Sequence, residues 1–466
     1  MKIKLTLFSL LMMSQLFFSQ NIEKTASEFV NYLFTKKYEE CVKLEDDEVK
    51  DKMPAGVLEM VNNQLSGMFG DYKKIISTKE ATGEIAPTVL VYTEFSNQKV
   101  IFKVPFSKNN KVLGIFKGPD EEVSVAVSRP QTPQPPFSYK TEDVKFKNET
   151  EGNLLAGTIS TPSDKKDFPI AVMITGSGAQ DRDEEILGHK PFAVIANYMA
   201  KNGIGTLRLD DRGVGESGKG KDGATSADFA TDINSAVNFL VKRGYTNIGL
   251  IGHSEGGMIA PMVANMNKNV KFQVLLAGPG VTGEQILLQQ TYDISKAAGS
   301  DEATLKANRG ISEKIFNYAN QYKGNDLYAD LKSYIIKTLA SEPSFKDDPK
   351  KLEALAESNA KGLTNPWLAY FIKHDPAKVL EKTKIPTLAL NGSLDLQVNP
   401  KQNLSAIKNA LTKAGNKDFE VAEVPMLNHL FQTAQTGSPK EYGEIEETFA
   451  PKVLDMMKNW IMKHQK

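Results

Sequence analysis

Gly252-His253-Ser254-Glu255-Gly256 sets a serine between two glycines, directly after the apolar run Ile248 to Ile251 and directly before Gly257-Met258-Ile259-Ala260. The apolar run reads as a strand and the following segment as the start of a helix, so Ser254 falls on a strand-to-helix turn. A serine presented this way occupies a strained conformation, and side chains at the flanking positions would collide with the strand or the helix. The turn exposes Oγ at a helix N-terminus, where the dipole and the N–H of Glu255 favour an oxyanion. The chemistry this equips is attack on a carbonyl carbon followed by transfer of the acyl group to water.

A serine hydroxyl is a poor nucleophile alone. It needs a base within hydrogen-bond reach and a carboxylate to hold that base in the correct tautomer. Asp395 lies in the short turn Gly392-Ser393-Leu394-Asp395 after the apolar run Leu388-Ala389-Leu390, and His429 follows the strand-like stretch Glu420 to Pro425 within Leu427-Asn428-His429. Serine, then acid, then histidine, each after a strand, is the chain order that accompanies a serine on a strand-to-helix turn of a parallel sheet. His189, His253, His374 and His464 do not follow a late strand. A second oxyanion donor belongs on the loop after the first central strand, Thr175-Gly176-Ser177-Gly178-Ala179, where the N–H of Ser177 is the candidate and Gly178 the alternative. The neighbouring Asp181-Arg182-Asp183 reads as a solvated salt-bridge cluster. Trp367 and Tyr370, with Phe371, are candidates for the wall of a substrate pocket, although aromatic residues at helical spacing equally suit a core.

Other chemistries find little support. Gly213-Val214-Gly215-Glu216-Ser217-Gly218-Lys219 has the frame of a phosphate-binding loop, but Gly220 stands where a hydroxyl is needed for magnesium and Lys221-Asp222-Gly223 does not start a helix. Asp210-Asp211-Arg212-Gly213 therefore reads as a tight loop whose charges fasten the sheet. The five histidines are scattered and the single cysteine, Cys41, has no partner, so neither a metal nor a cofactor is expected. Lys+Arg and Asp+Glu are both 57, which leaves no basic field to draw nucleic acid. The expected partner is a small molecule with an acyl group to transfer to water.

These residues must be positioned by a scaffold, and the patterning describes one. Lys2 and Lys4 precede the apolar run Leu5 to Phe18, the layout of an export signal over residues 1–19 with cleavage near Ser19, so a periplasmic or secreted protein is expected. No cysteine near that point invites lipid attachment, and no later run is long enough for a transmembrane anchor. Ile22, Ala26, Phe29, Val30 and Leu33 recur at helical spacing, as do Val57, Met60, Val61 and Leu65. Strand-like runs follow at Thr88 to Phe95, Lys99 to Phe106 and Val112 to Phe116, making residues 20–127 a small α+β domain. Pro130, Pro133, Pro135 and Pro136 mark residues 128–137 as a linker. From residue 138 to 466 strands and helices alternate, the pattern of a mostly parallel sheet wrapped by helices. The strands fall at Ile170 to Thr175, Gly205 to Leu209, Ile248 to Gly252, Phe272 to Leu276, Thr387 to Leu390 and Phe419 to Val424. Residues 283–384 carry only helical patterns and read as a cap inserted into that sheet. Val453, Leu454, Met457, Trp460 and Ile461 give a closing helix one apolar face.

Taken with Thr175 to Asp183, Asp211 to Ser217, Asn365-Pro366-Trp367 and Asn391 to Val398, the nucleophile motif resembles the α/β-hydrolase superfamily, and within it the secreted esterase D-like carboxylesterases, from about Phe137 onward. The resemblance implies an α/β-hydrolase fold with a helical cap and hydrolysis of short to medium acyl esters by Ser254, Asp395 and His429. The front domain is similar to a small domain of unknown function that often precedes such hydrolases. Thr175 departs from the histidine that many relatives carry before the oxyanion glycine. Serine aminopeptidases and amidases share the same machinery, although this chain lacks the H-G-G-P-G loop of the proline-specific members. A ligand-binding protein without catalysis is the alternative of another class, and a complete triad weighs against it.

Overall fold

The computed structural model of the chain describes residues 11–81, 86–118, 129–162, 167–342, 345 and 348–464, with side chains from Ile22 onward. Contacts divide it between Ser128 and Arg129 into two units. The first holds helices α1 (Leu11–Phe34), α2 (Tyr38–Leu44), α3 (Asp47–Lys50) and α4 (Ala55–Phe69), then strands β1 (Tyr72–Glu80), β2 (Thr88–Phe95), β3 (Lys99–Pro105) and β4 (Phe116–Lys117) in an antiparallel sheet of that order. Ile22, Ala26, Phe29, Val30 and Leu33 of α1 are all buried against β2 and β3 residues such as Val89, Val91, Phe102 and Val104. On α4 the inward face is rotated from the one expected: Leu58 and Phe69 are buried and Val61 and Leu65 pack beside them, whereas Met60 is 63% exposed. β1 departs from the expected strands, because it is only half-covered and so carries lysines and threonine on a mixed face rather than a clean alternation. The expected strand from Val112 to Phe116 shrinks to two isolated bridges at Val112, to Glu45 and to Phe106, and the short β4. Cys41 is buried, and burial pushes its thiol up to about 12. The expected export signal lies outside the described residues up to residue 10, and α1 begins at Leu11. Among the described residues no helix is long and apolar enough to cross a membrane.

The second unit begins with the proline-rich stretch. In place of the expected linker, the chain from Arg129 onward is part of this unit. Proline supplies no backbone donor, and the side chains anchor the segment instead. Arg129 donates to the carbonyls of Leu187, Gly443 and Ile445, and Gln131 accepts from the amides of Thr448 and Phe449. There follow β5 (Lys140–Lys147), β6 (Leu154–Thr161), β7 (Ile170–Ile174), α5 (Pro191–Lys201), β8 (Gly205–Leu209), α6 (Ser226–Lys242), β9 (Ile248–His253), α7 (Glu255–Met266) and β10 (Val270–Leu276). Among the described residues six helices separate β10 from the next strand: α8 (Gly283–Ala297), α9 (Glu302–Gln321), α10 (Leu327–Leu339), α11 (Pro349–Thr364), α12 (Pro366–Lys373) and α13 (Pro376–Leu380). β11 (Thr387–Gly392), α14 (Pro400–Lys413), β12 (Phe419–Val424) and α15 (Pro451–Lys463) complete it.

The eight strands lie in the order β12-β11-β10-β9-β7-β8-β6-β5. Those from β12 to β8 are parallel, while β6 runs antiparallel to β8 and β5 antiparallel to β6. The antiparallel pair adds to the expected strands, and its signal is weak because β5 sits at the exposed edge and reads Lys-Thr-Glu-Asp-Val-Lys-Phe-Lys. Successive residues of β7 serve opposite faces: Ile170, Val172 and Ile174 join α6, α7 and α14 in one core, and Ala171 and Met173 join α5 and α15 in the other. That double burial is why the central strands are continuous apolar runs. After β7 the chain winds first to β8 on one side and then to β9 on the other. The parallel strands place the ends of β7, β9, β11 and β12 along one edge, at this reversal, which is where an open α/β sheet leaves a crevice. This is the α/β-hydrolase fold with a helical insertion, preceded by a small α+β domain.

Candidate active site

Ser254 leaves β9 with φ 51° and ψ −118°, a left-handed conformation unusual for any residue with a side chain. Close packing leaves no room for anything but glycine beside it. A Cβ on Gly252 would lie 2.1 Å from the carbonyl oxygen of Gly256, and one on Gly256 would lie 2.1 Å from that of Ile174 at the end of β7. The amide of Ser254 donates to the carbonyl of Leu276 on β10, which pins the turn to the sheet.

Three side chains from three strand ends then converge. His429 Nε2 is 3.1 Å from Ser254 Oγ, and His429 Nδ1 is 2.8 Å from Asp395 Oδ2. The second carboxylate oxygen of Asp395 accepts from the amides of Gln397 and Val398, both at 2.8 Å. All three side chains are buried. Because Nδ1 faces a carboxylate, that nitrogen carries the proton and Nε2 presents its lone pair to the hydroxyl.

The loop after β7 packs directly on Ser254, since a Cβ on Gly176 would lie 3.3 Å from Ser254 Cβ. Gly176 is not an available donor: its amide is tied to Glu184 Oε1 at 2.6 Å. Among the described residues the amides of Ser177, Gly178 and Glu255 donate to no protein group. Thr175, which stands where many relatives carry histidine, donates its hydroxyl to Asp211 Oδ1 at 2.8 Å. Burial, with Glu255 and Glu184 adding to it, raises Asp211 well above the usual carboxylate range.

Glu255 joins three elements at this point. Its Oε1 accepts from Ser226 Oγ at 2.6 Å and from Trp367 Nε1 of α12 at 2.9 Å, and the nearby Ser177 hydroxyl favours the charged form of the same carboxyl. Burial raises the Glu255 pKa, and these donors pull it back only in part. Trp367 stacks on Phe371, ring centroids 5.7 Å apart, and stands one residue from the nucleophile by way of Glu255. Tyr370 is half-buried and stacks on His374, away from any hydrogen bond to the triad. The helical insertion also touches the acid loop: Asn399 donates to Asp293 of α8 at 2.8 Å.

The charged segments singled out in the sequence hold the frame. Arg182 grips Asp210 with Nε and Nη2 and reaches Asp143 and Glu216. It is half-buried rather than solvated. The loop resembling a phosphate cradle is turned inward, with the amide of Glu216 on Asp210 and that of Gly213 on the Gly218 carbonyl. Among the described residues no cluster could hold a metal ion.

Two residues were missed by sequence reasoning. His253, inside the nucleophile motif, is buried between Glu184 and the carbonyl of His429. The motif gave its position, but nothing in it marks the residue before the serine as a partner of a distant glutamate. Glu184 carries no signal at all, being one of the few non-glycine residues with positive φ, at 52°.

Residues 190–433 match the family described as serine aminopeptidase, S33, and residues 26–115 match a family of unknown function, DUF3887. The chain is 23% identical over 470 residues to the esterase EstD of Thermotoga maritima, spanning 99% of this chain and 100% of that one. Among solved structures it is similar to the esterase Pf2001 of Pyrococcus furiosus, at 14% identity, TM-score 0.41, and 71% and 94% of the two chains. It is also similar to Est1E of Butyrivibrio proteoclasticus with bound ferulic acid, at 16% identity, TM-score 0.39, and 69% and 98% of the two chains.

Proposed function

From a chain that belongs to the serine aminopeptidase S33 family, we infer a carboxylic ester hydrolase that works through an acyl-enzyme on Ser254. The observation that carries this reading is the unbroken relay from Asp395 through His429 to a hydroxyl held in a left-handed turn. His429 Nε2 takes the proton as Oγ attacks the ester carbonyl, and Asp395 holds the imidazolium that forms. The oxyanion is received by the amides of Glu255 and Ser177. His429 returns the proton to the leaving alcohol, then draws one from water as the hydroxide adds to the acyl carbon, and passes it back to Ser254 Oγ as the acid leaves. Trp367 and Tyr370 wall the pocket on the side of the insertion.

Two observations favour an ester over a peptide. The relative matched from end to end is an esterase. An aminopeptidase must also hold a free ammonium, and the carboxylate beside Ser254, that of Glu255, is already engaged by Ser226 and Trp367. The amino-terminal pattern of Lys2, Lys4 and the apolar run to Phe18 supports an exported enzyme, periplasmic or secreted.

The test is a matched panel of acyl esters and aminoacyl amides, with covalent labelling by a fluorophosphonate. Ser254→Ala should abolish labelling and lower kcat by roughly 10⁶ while the protein stays folded. Turnover of amides but not esters would move the assignment to peptidase, and a folded wild-type protein that neither labels nor turns over would end the catalytic reading.

A further inference from the structure

His253 touches three parts of the site at once. It belongs to the nucleophile turn, its Nε2 lies 3.0 Å from the carbonyl oxygen of His429, and its Nδ1 lies 2.9 Å from Glu184 Oε1. The same Glu184 oxygen receives the amide of Gly176 at 2.6 Å. One buried ring and one buried carboxylate thus connect the loop bearing the base, the loop bearing the candidate oxyanion donor and the turn bearing the nucleophile.

Proton counting decides the state of this pair. A carbonyl oxygen only accepts, so Nε2 must carry hydrogen to face His429. A bare Nδ1 lone pair against a carboxylate oxygen would be repulsive, so a second proton lies between Nδ1 and Glu184. The Gly176 amide already donates to that oxygen, which favours the carboxylate form and places the proton on the ring. We propose that His253 and Glu184 are positioning residues, an imidazolium–carboxylate pair without net charge that fixes His429 and the Gly176-Ser177 loop against Ser254; the proposal rests on the ester-hydrolase reading above. The groups facing His253 are Glu184, the ring of His429 with its centroid 4.9 Å away, and Asp395, while Asp211 faces Glu184 from the next strand end. Burial works against a charged His253, yet the Glu184 carboxylate and the two hydrogen bonds outweigh it and the pKa is raised.

A merely satisfied core histidine would make a different prediction from a protonated positioning pair. In Glu184→Gln the amide oxygen can still accept from Gly176 and from Nδ1–H, but no counter-charge remains. His253 then keeps both ring protons only at low pH and must surrender one of its two bonds as pH rises. The ratio of wild-type to variant kcat on an ester should grow from within about threefold at pH 5.5 to about 10²-fold at pH 8.5, the loss expected when a reacting group is misplaced by about 1 Å. KM should change little, and His253→Gln combined with Glu184→Gln should cost no more than the larger single loss. A ratio that is flat across this range, or additive losses in the double variant, would overturn the proposal. Nitrogen-15 spectra of histidine-labelled wild-type protein give an answer independent of turnover and of whether the variants fold: both His253 ring nitrogens should be protonated at pH 7, and one bare nitrogen there would refute the pair. Absence of ester turnover in the wild type would sink the ester reading while leaving the spectra to judge the pair.

Discussion

Gly256→Ala is the sharpest probe of how the candidate site is assembled. The added methyl would sit 2.1 Å from the carbonyl oxygen of Ile174 and 2.7 Å from both the Ile174 carbonyl carbon and the Thr175 oxygen. All are backbone atoms at the end of a central strand, so no rotamer can relieve the clash, and the strand end must retreat by roughly 1 Å in an interior that is already close-packed. Overpacking of this kind costs about 1–3 kcal/mol of stability. The larger effect falls on turnover, because Thr175 leads directly into Gly176 and Ser177. Moving the Ser177 amide away from the developing oxyanion should lower kcat by about 10² to 10³-fold with a smaller change in KM. The assay is steady-state ester hydrolysis beside a urea melt, with Gly310→Ala as control. Gly310 lies inside α9, where an added methyl would meet nothing within 4 Å, so alanine there should add about 0.5–1 kcal/mol and leave kcat alone. A folded Gly256→Ala protein with kcat within twofold of wild type would refute the idea that the end of β7 carries an oxyanion donor.

Two further outcomes follow from Glu255. Trp367→Phe keeps an aromatic ring against Phe371 and removes only the N–H that reaches Glu255, so it should cost about 1–2 kcal/mol in a urea melt and raise KM for esters several-fold; unchanged stability and KM would show that this bond does not fasten α12 over the site. The second outcome concerns pH. Because the Glu255 pKa is raised from 4.5 in the folded protein, the native state holds this proton more tightly than the unfolded chain does. The contribution of Glu255 is therefore present in full below about pH 4.5 and is lost as pH climbs through the raised value. Glu255→Gln, which retains the backbone N–H, should grow more stable relative to wild type as pH rises from 4.5 to 8, and a difference that stays level would contradict the assignment.

How much of this could be read beforehand differs residue by residue. The turn at Ser254 was legible because its chemistry is local: two glycines, a strand before and a helix after, all within a dozen residues. Asp395 and His429 were legible because a parallel sheet delivers strand ends to one edge, so chain order stands in for position. The expected oxyanion loop was legible only as a loop. That Gly176 is occupied by Glu184 depends on a glutamate in a left-handed turn, and local sequence gives no sign of where such a side chain points. The rotated face of α4 and the strands β1 and β5 were lost for another reason: a half-exposed element carries a blurred periodicity.

The sequence by itself determined that Ser254 sits on a strand-to-helix turn and that Asp395 and His429 follow later strands, because each of these placements is encoded in a short local pattern and the chain order of the strands does the rest. Only the tertiary structure decided what surrounds them: the anchoring of the proline-rich stretch by Arg129 and Gln131, the meeting of Trp367 with Glu255 across 112 residues, and the burial of His253 between Glu184 and His429. Such contacts join segments far apart in the chain, and their energy comes from desolvation and fixed hydrogen-bond geometry, which exist only once the sheet has brought the segments together.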